Sequence, residues 1–220
     1  MDFTKFVSML DNSGLYFSRA DLLGDPFEGS FSKGNEKLRP IVYANTPITF
    51  DAIKSGSEFA KRARLFTFIN CWHMNDHESA AMWKLYAKTN EAVAVKSKLS
   101  ILLSELSEKI YVGMVKYIDY GKDWTPEGNA LSPFIHKRLS FKHENEIRAL
   151  FCDAGNERKY MNENTAGIWE KTNLSKLIEA IYVSPTSPEW FRILVENACT
   201  RYGLMNKAVI RSSLDEAPFF

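Results

Sequence analysis

The sequence predicts an α+β fold, as a single domain over residues 1–220 with a mixed β-sheet flanked by helices. The segment "LFTFINCW" is rich in aromatic and β-branched residues and predicts a strand, and "MNDHESAAMWKLYAKTNE" after it predicts a helix. Near the end, "LIEAIYV", "SPTSPEWFRILVENACTRYG" and "KAVIRSSL" predict a strand, a helix and a strand, with a connection long enough for parallel pairing. No internal repeat or long linker divides the chain.

The remaining elements follow from local patterns. "MDFTKFVSMLDNSG" has helical spacing and ends at Gly14, and "LYFS" predicts a short strand before the turn "RADLLGDPFEGSF". A helix is expected up to Arg64, capped by Thr46 with Pro47 in its first turn.

The middle of the chain continues the alternation of strands and helices. Asn75 and Glu78 have the spacing of a capping box at the start of their helix. "EAVAVKS" predicts a strand, "SKLSILLSELS" a short helix, "KIYVGMVKYIDY" one long strand and "ALSPFIHKRLS" a helix. Residues 153–173 predict loop and helix pieces.

Composition excludes several classes of protein. A formal net charge of +1 argues against a general coat for nucleic acid or an acidic membrane, although local basic clusters leave nucleic acid open as a partner. Three cysteines form no disulfide framework, and no long apolar run or signal peptide is present. We therefore expect a cytoplasmic protein that does not enter a membrane.

The stretch "SFKHENEIRALF" contains the strongest catalytic candidates. If it is a strand, Glu144, Glu146 and Arg148 share one face, because side chains alternate. The Cα atoms of the two glutamates are then about 7 Å apart, close enough for their carboxylates to repel each other. An arginine beside them can hold one ionised, so the trio can take a proton or stabilise a cation. The alternative is a solvated strand face with an ion pair.

Two further stretches are candidate binding sites. The basic run "HKRLSFKH" places Lys137, Arg138 and Lys142 beside Phe134 and Phe141, which suits a phosphate or a base, although the sequence alone favours a solvated helix face. His143 in the same run is a further binding candidate. The turn "DPFEGS" concentrates Asp25 and Glu28, and an ordinary turn is the alternative.

Histidines and aromatic residues complete the candidates. Cys71, His73 and His77 match no known zinc spacing, so no metal site is predicted, while His73 stays a ligand-contact candidate. Trp83 and Tyr86 suit either core packing or stacking on a base.

Several of these segments together resemble a bacterial family, domain of unknown function 2971. They are "LYFSRADLLGDPFEGS", "NCWHMNDHESAAMWKLYA", "VKYIDY", "KRLSFKHENEIRA" and "IYVSPTSPEWF". The resemblance runs in order from near residue 3 to the C-terminal "SSLDEAPFF". Members often carry an aromatic, Arg, Tyr run ahead of the point where this chain opens.

The arrangement of motifs in that family also looks like the ADP-ribosyltransferase fold. The resemblance implies that Glu146 faces the ribosyl oxocarbenium of NAD, that Glu144 orients the acceptor and that Arg148 supports both. Arg19 is the stand-in for an early arginine that this chain lacks.

The leading hypothesis is an NAD- or nucleotide-binding enzyme that is ADP-ribosyltransferase-like, with NAD as co-substrate and a role as a toxin or in phage defence. One alternative is a metal-dependent nuclease or phosphodiesterase that uses Glu144, Glu146 and Asp25 on a divalent ion, with Lys137 and Arg138 on the phosphates. Another is a non-catalytic protein-binding module.

Overall fold

The structure, a computed structural model that describes residues 1–46 and 49–220, confirms the predicted α+β class. Helices account for 40% of it and strands for 22%, and its sheets are mixed. The chain divides into two compact units. The first comprises Met1–Tyr16, Asn75–Glu108 and Trp169–Phe220, and the second comprises Phe17–Met74 and Lys109–Ile168. That residues 1–220 form one domain stays a prediction.

The helices and strands follow one another along the whole chain. The helices among the described residues are α1 Phe3–Asp11, α2 Lys33–Val42, α3 Phe50–Ala63, α4 Ala80–Tyr86, α5 Leu99–Glu105, α6 Glu157–Asn162, α7 Leu174–Leu177 and α8 Glu189–Arg201. The strands are β1 Gly14–Arg19, β2 Thr67–His73, β3 Val93–Lys96, β4 Tyr111–Met114, β5 Lys116–Ile118, β6 His136–Arg138, β7 Glu146–Cys152, β8 Gly167–Lys171, β9 Ala180–Val183 and β10 Ala208–Arg211.

The first unit contains a three-stranded mixed sheet in the order β10-β9-β3. Strands β9 and β10 are parallel, as the strand, helix, strand pattern predicted, and β3 is antiparallel to β9. Phe191 and Val195 of α8 are fully buried, as are Ile181 and Val183 of β9. Their burial removes the apolar stripe of α8 from water and stabilises this unit.

The five-stranded sheet has the order β4-β7-β2-β1-β8. Strand β7 pairs antiparallel with β2 from Thr67 opposite Cys152 to His73 opposite Glu146, and with β4 on its other side. Its first five residues are buried on both faces, as in a central strand. The predicted strands in "LFTFINCW" and "NEIRALF" are therefore neighbours in the sheet.

Two predicted elements are wrong because the chain changes strand partners at Val115. Its N–H donates to the carbonyl of Glu146, whereas the N–H of Lys116 donates to the carbonyl of Ile135. The predicted long strand thus divides into β4, paired with β7, and β5, paired in parallel with β6. Strand β6 occupies the segment predicted as a helix, where only a 3-10 turn at Ser132–Phe134 precedes it.

Helix starts differ from the predictions by a few residues. Ser79, not Asn75, caps α4, and Thr49, not Thr46, caps α3. The predicted role of Pro47 lies outside the described residues. In each case a hydroxyl close to the first helical residue accepts from a free backbone N–H, which decides the start. No helix within the two described ranges is long and apolar enough to cross a membrane.

Candidate functional site

Glu144 and Glu146 come together by a different route from the predicted strand. Strand β7 begins only at Glu146, and Glu144 ends a 3-10 turn over Leu139–Glu144. Between them Asn145 has φ 39° and ψ 60°, the left-handed region that asparagine adopts more readily than most residues. The prediction that Glu144 lies on the strand is wrong, because the chain turns at Asn145 before the ladder starts.

Arg148 is the centre of the site and is only 1% exposed. Its Nη1 and Nη2 donate to the two carboxylate oxygens of Glu28 at 2.6 and 3.0 Å, a bidentate pair. Its Nε donates to Glu146 Oε2 at 3.0 Å, and Nη1 also donates to the carbonyl of Phe134 at 2.7 Å. Arg148 thus fixes the "DPFEGS" turn to β7.

Lys137 of β6 is the second buried cation. Its Nζ contacts the carboxylate of Glu144 and lies 3.6 Å from Glu146 Oε2. We call Glu28, Glu144, Glu146, Lys137 and Arg148 the buried charge cluster, since each is less than a tenth exposed. Lys137 therefore brings together the two carboxylates that the turn at Asn145 separates.

The buried charge cluster has three carboxylates and two cations, so it carries one surplus negative charge when every group is ionised. Burial raises the pKa of the Glu28 carboxyl, and Arg148 opposes that shift. Burial also disfavours the charge of Arg148, but Glu28, Cys71 and Glu146 together outweigh it and raise the pKa of the guanidinium. Arg148 is thus firmly cationic, and losing it would leave carboxylates buried without compensation.

His73 lies directly opposite Glu146 on the neighbouring strand. Its Nδ1 is 2.6 Å from the carbonyl oxygen of Glu144. A carbonyl can only accept, so Nδ1 carries a proton, and Nε2 is the acceptor of the ring when His73 is neutral. Nε2 is buried and bonds to no described residue. The ring is therefore oriented, with one unused acceptor.

Glu146 also has an unused oxygen. Its contacts with Arg148 Nε and Nη2, at 3.0 and 2.9 Å, and with Lys137 all reach Oε2. Within the described parts of the chain, no hydrogen bond reaches Oε1. Opposed residues on antiparallel strands share a face, with Cβ atoms about 4.5–5.5 Å apart. We call His73 Nε2 and Glu146 Oε1 the acceptor pair.

The other carboxylate of the "DPFEGS" turn also has an arginine partner. Arg138 donates to Asp25 at 2.8 Å, and its guanidinium carbon lies 4.3 Å from the ring centre of Phe27 and 5.2 Å from that of Phe141. The structure thus brings five of the predicted binding residues, including Lys137, Glu28 and His73, to the same region of the second unit as the predicted catalytic ones. Arg138 thus lies over two aromatic rings.

Arg19 does not join the cluster. It lies opposite Phe68, which lies opposite Phe151, and these three side chains occupy the face of the sheet away from Arg148. Arg19 pairs there with Asp21 at 2.7 Å. Its expected role as a stand-in for an early catalytic arginine gains no support from this position, because the strand register points it away.

Three predicted binding residues lie elsewhere. His143 is exposed in the 3-10 turn before Asn145. Trp83, half-buried, and Tyr86, 51% exposed, are on α4, which belongs to the first unit. The binding roles predicted for Trp83 and Tyr86 therefore stay predictions.

Sequence reasoning missed two groups that support the cluster. The carbonyl of Phe134 accepts from Arg148, and the hydroxyl of Tyr117 accepts from the backbone N–H of Glu146 at 2.9 Å. Burial raises the pKa of Tyr117 to about 12, so it stays a neutral hydroxyl. No spacing signal could reveal them, since they depend on β5 and β6 pairing beside β7.

Within residues 1–46 and 49–220, no set of three or more His, Cys, Asp and Glu side chains gathers so as to hold a metal ion. Asp25 pairs with Arg138, and Glu144 pairs with Lys137. The nuclease hypothesis gains no support from this arrangement.

Comparison with protein-family models, curated proteins and solved structures finds no match for this chain. The resemblance to the family of unknown function, and through it to ADP-ribosyltransferases, therefore stays a prediction. The geometry of the cluster has to support any function by itself.

Proposed function

We propose that this chain is an NAD- or nucleotide-binding enzyme with ADP-ribosyltransferase-like chemistry, and that the acceptor pair receives two hydroxyls of a ribose. One observation carries the proposal: His73 Nε2 is a buried acceptor that bonds to no described residue, and it lies directly opposite Glu146, whose contacts with Arg148 and Lys137 all reach Oε2 and leave Oε1. A buried acceptor without a donor costs about 1–3 kcal/mol, and a ligand hydroxyl that donates to it recovers this energy.

A ribose suits the acceptor pair because its neighbouring 2′- and 3′-hydroxyls are two donors on one rigid ring. The surplus negative charge of the cluster supports the second part of the proposal. When the bond from C1′ to a nicotinamide or base breaks, positive charge develops on the sugar, and a carboxylate held in place lowers its energy. Arg148 and Lys137 hold Glu146 by Oε2, which leaves Oε1 for the sugar.

A non-catalytic binding module is the second candidate, favoured by the burial of the cluster. Glu146 is 6% exposed and Glu144 is 8% exposed, and both have a cationic partner. In this alternative the cluster only fixes the "DPFEGS" turn and the 3-10 turn to the sheet, and a partner binds the exposed parts of those turns. Substitution of His73 would then leave nucleotide binding unaffected.

Calorimetric titration with NAD tests the proposal against this alternative. The ligands are NAD and its analogue with a 2′-deoxyribose next to nicotinamide, and the variants are His73→Phe and Glu163→Gln, an exposed carboxylate of the second unit. We expect the deoxy analogue and His73→Phe each to weaken binding by about tenfold or more, and Glu163→Gln to bind as the wild type does. Equal affinity for both ligands would contradict the ribose contact.

A further inference from the structure

The second unit contains a cavity that the buried charge cluster does not line. It has a volume of about 330 Å³ and lies among α2, α3 and the loop that carries Glu127. Pockets for small ligands start at about 300 Å³ and combine apolar walls with a few fixed polar groups. This cavity therefore has the size for one small molecule.

One wall of the cavity is a fixed polar group centred on Glu127. Arg39 donates to Glu127 Oε1 through Nε at 3.0 Å and through Nη2 at 2.7 Å. Asn35 also donates to Oε1 at 2.9 Å, and the hydroxyl of Tyr43 donates to Oε2 at 3.1 Å. Burial opposes ionisation of Glu127, but the hydrogen bonds from Arg39 and Asn35 outweigh it and lower its pKa. Arg39 and Glu127 thus form a neutral pair of opposite charges.

Arg39 keeps donors for a ligand. Its Nη1 bonds to no residue in the described parts of the chain, while its side chain lines the cavity and is 20% exposed. Because the guanidinium is planar and its other edge is held by Glu127, Nη1 is already positioned before any ligand binds.

The other walls are mainly apolar. Ile53, Phe59 and Pro133 line them, and Gly56 of α3 opens the space between. A Cβ built on Gly56 would meet no atom within 4 Å. An aromatic ring fits such walls. Among the described lining residues Arg39 is the only cation and is already neutralised by Glu127, so a charged group would enter without a free partner.

We propose that this cavity binds a small uncharged aromatic molecule with a carbonyl oxygen, such as an aromatic amide, whose carbonyl accepts from Arg39 Nη1 while the ring lies against Ile53 and Phe59. The proposal does not depend on the acceptor pair of His73 and Glu146.

Three probes of the same ring size test the chemistry on the wild-type protein: naphthalene-2-carboxamide, naphthalene-2-carboxylate and naphthalene. We expect saturable one-to-one binding of the amide, with the carboxylate and the hydrocarbon each weaker by about tenfold. Tighter binding of the carboxylate would overturn the uncharged ligand class. Absence of saturable binding of the amide would overturn the site.

Two substitutions of Gly56 test whether the probe binds in this cavity. Gly56→Leu fills the cavity and Gly56→Ala adds only one methyl, and neither meets a clash at Cβ. We expect Gly56→Leu to weaken amide binding by about tenfold or more and Gly56→Ala to stay within about threefold, with both unfolding at or above the wild-type temperature. Unchanged binding to folded Gly56→Leu would show that the probe binds elsewhere.

Discussion

His73 and Glu146 face each other across β2 and β7; His73 Nε2 is buried without a partner among the described residues, and the contacts of Glu146 with Arg148 and Lys137 leave its Oε1. Their other atoms are held: His73 Nδ1 by the carbonyl of Glu144, and Glu146 Oε2 by Arg148 and Lys137. Because these contacts hold both side chains in place, the acceptor pair is already positioned to bind a ligand with two hydrogen-bond donors. The stability of the residues that hold this pair and the ligand that it binds can be tested separately.

Loss of Arg148 should be far more damaging than loss of the charge on Glu146. Arg148→Met leaves Glu28 and Glu146 buried without their main cation, which we expect to reduce the free energy of unfolding by about 3–5 kcal/mol. Glu146→Gln removes the surplus negative charge and leaves Glu28 paired with Arg148 and Glu144 with Lys137, so we expect a loss below about 1.5 kcal/mol. Urea unfolding of both variants measures the difference. Similar losses would show that the surplus charge does not exist in the folded protein.

Gly29 should be sensitive to substitution because it positions Glu28. Its φ is +72°, and a Cβ there would lie 2.5 Å from the ring of Phe134, whereas Gly24 has φ +85° and open space around it. Gly24→Ala should cost about 1 kcal/mol from backbone strain alone, and Gly29→Ala should cost about 1–3 kcal/mol more from the clash. Thermal unfolding compares them. Equal losses would mean that Phe134 moves away freely.

The pH dependence of stability should contain a contribution from Glu127. Its pKa is lower in the folded protein than its ordinary value of 4.5, so the unfolded chain binds its proton at higher pH. The stability that ionised Glu127 contributes is fully present above pH 4.5 and is lost as the pH falls through the pKa of Glu127 in the folded protein. We expect the wild type to lose more stability than Glu127→Gln between pH 6 and pH 3. Parallel curves for the two proteins would contradict the lowered pKa.

The sequence was sufficient for the elements that depend on local pattern. Strands β2, β3, β7 and β9 and helices α1 and α8 follow from apolar and β-branched residues within short windows. The class α+β and the parallel pairing of β9 with β10 follow from the order of those elements.

Elements that depend on partners far away in the chain could not be predicted. The division of "KIYVGMVKYIDY" at Val115 requires knowing that Ile135 offers its carbonyl to Lys116, and the strand at Lys137 requires β5 beside it. The same limit applies to the site. The composition of "HENEIR" indicated that its charges act together, but the pairing of Glu28 with Arg148 joins residues 120 positions apart.

If Glu146 and its neighbours act on a ribosyl bond, as we claim, the protein should release nicotinamide from NAD. The purified protein is incubated with NAD in cell lysate, which supplies an acceptor, with and without EDTA, beside Glu146→Gln and Glu163→Gln. We expect release that persists in EDTA, disappears in Glu146→Gln and is unchanged in Glu163→Gln. Absence of release above the lysate background, or equal release from Glu146→Gln once that variant is shown to be folded, would contradict the claim.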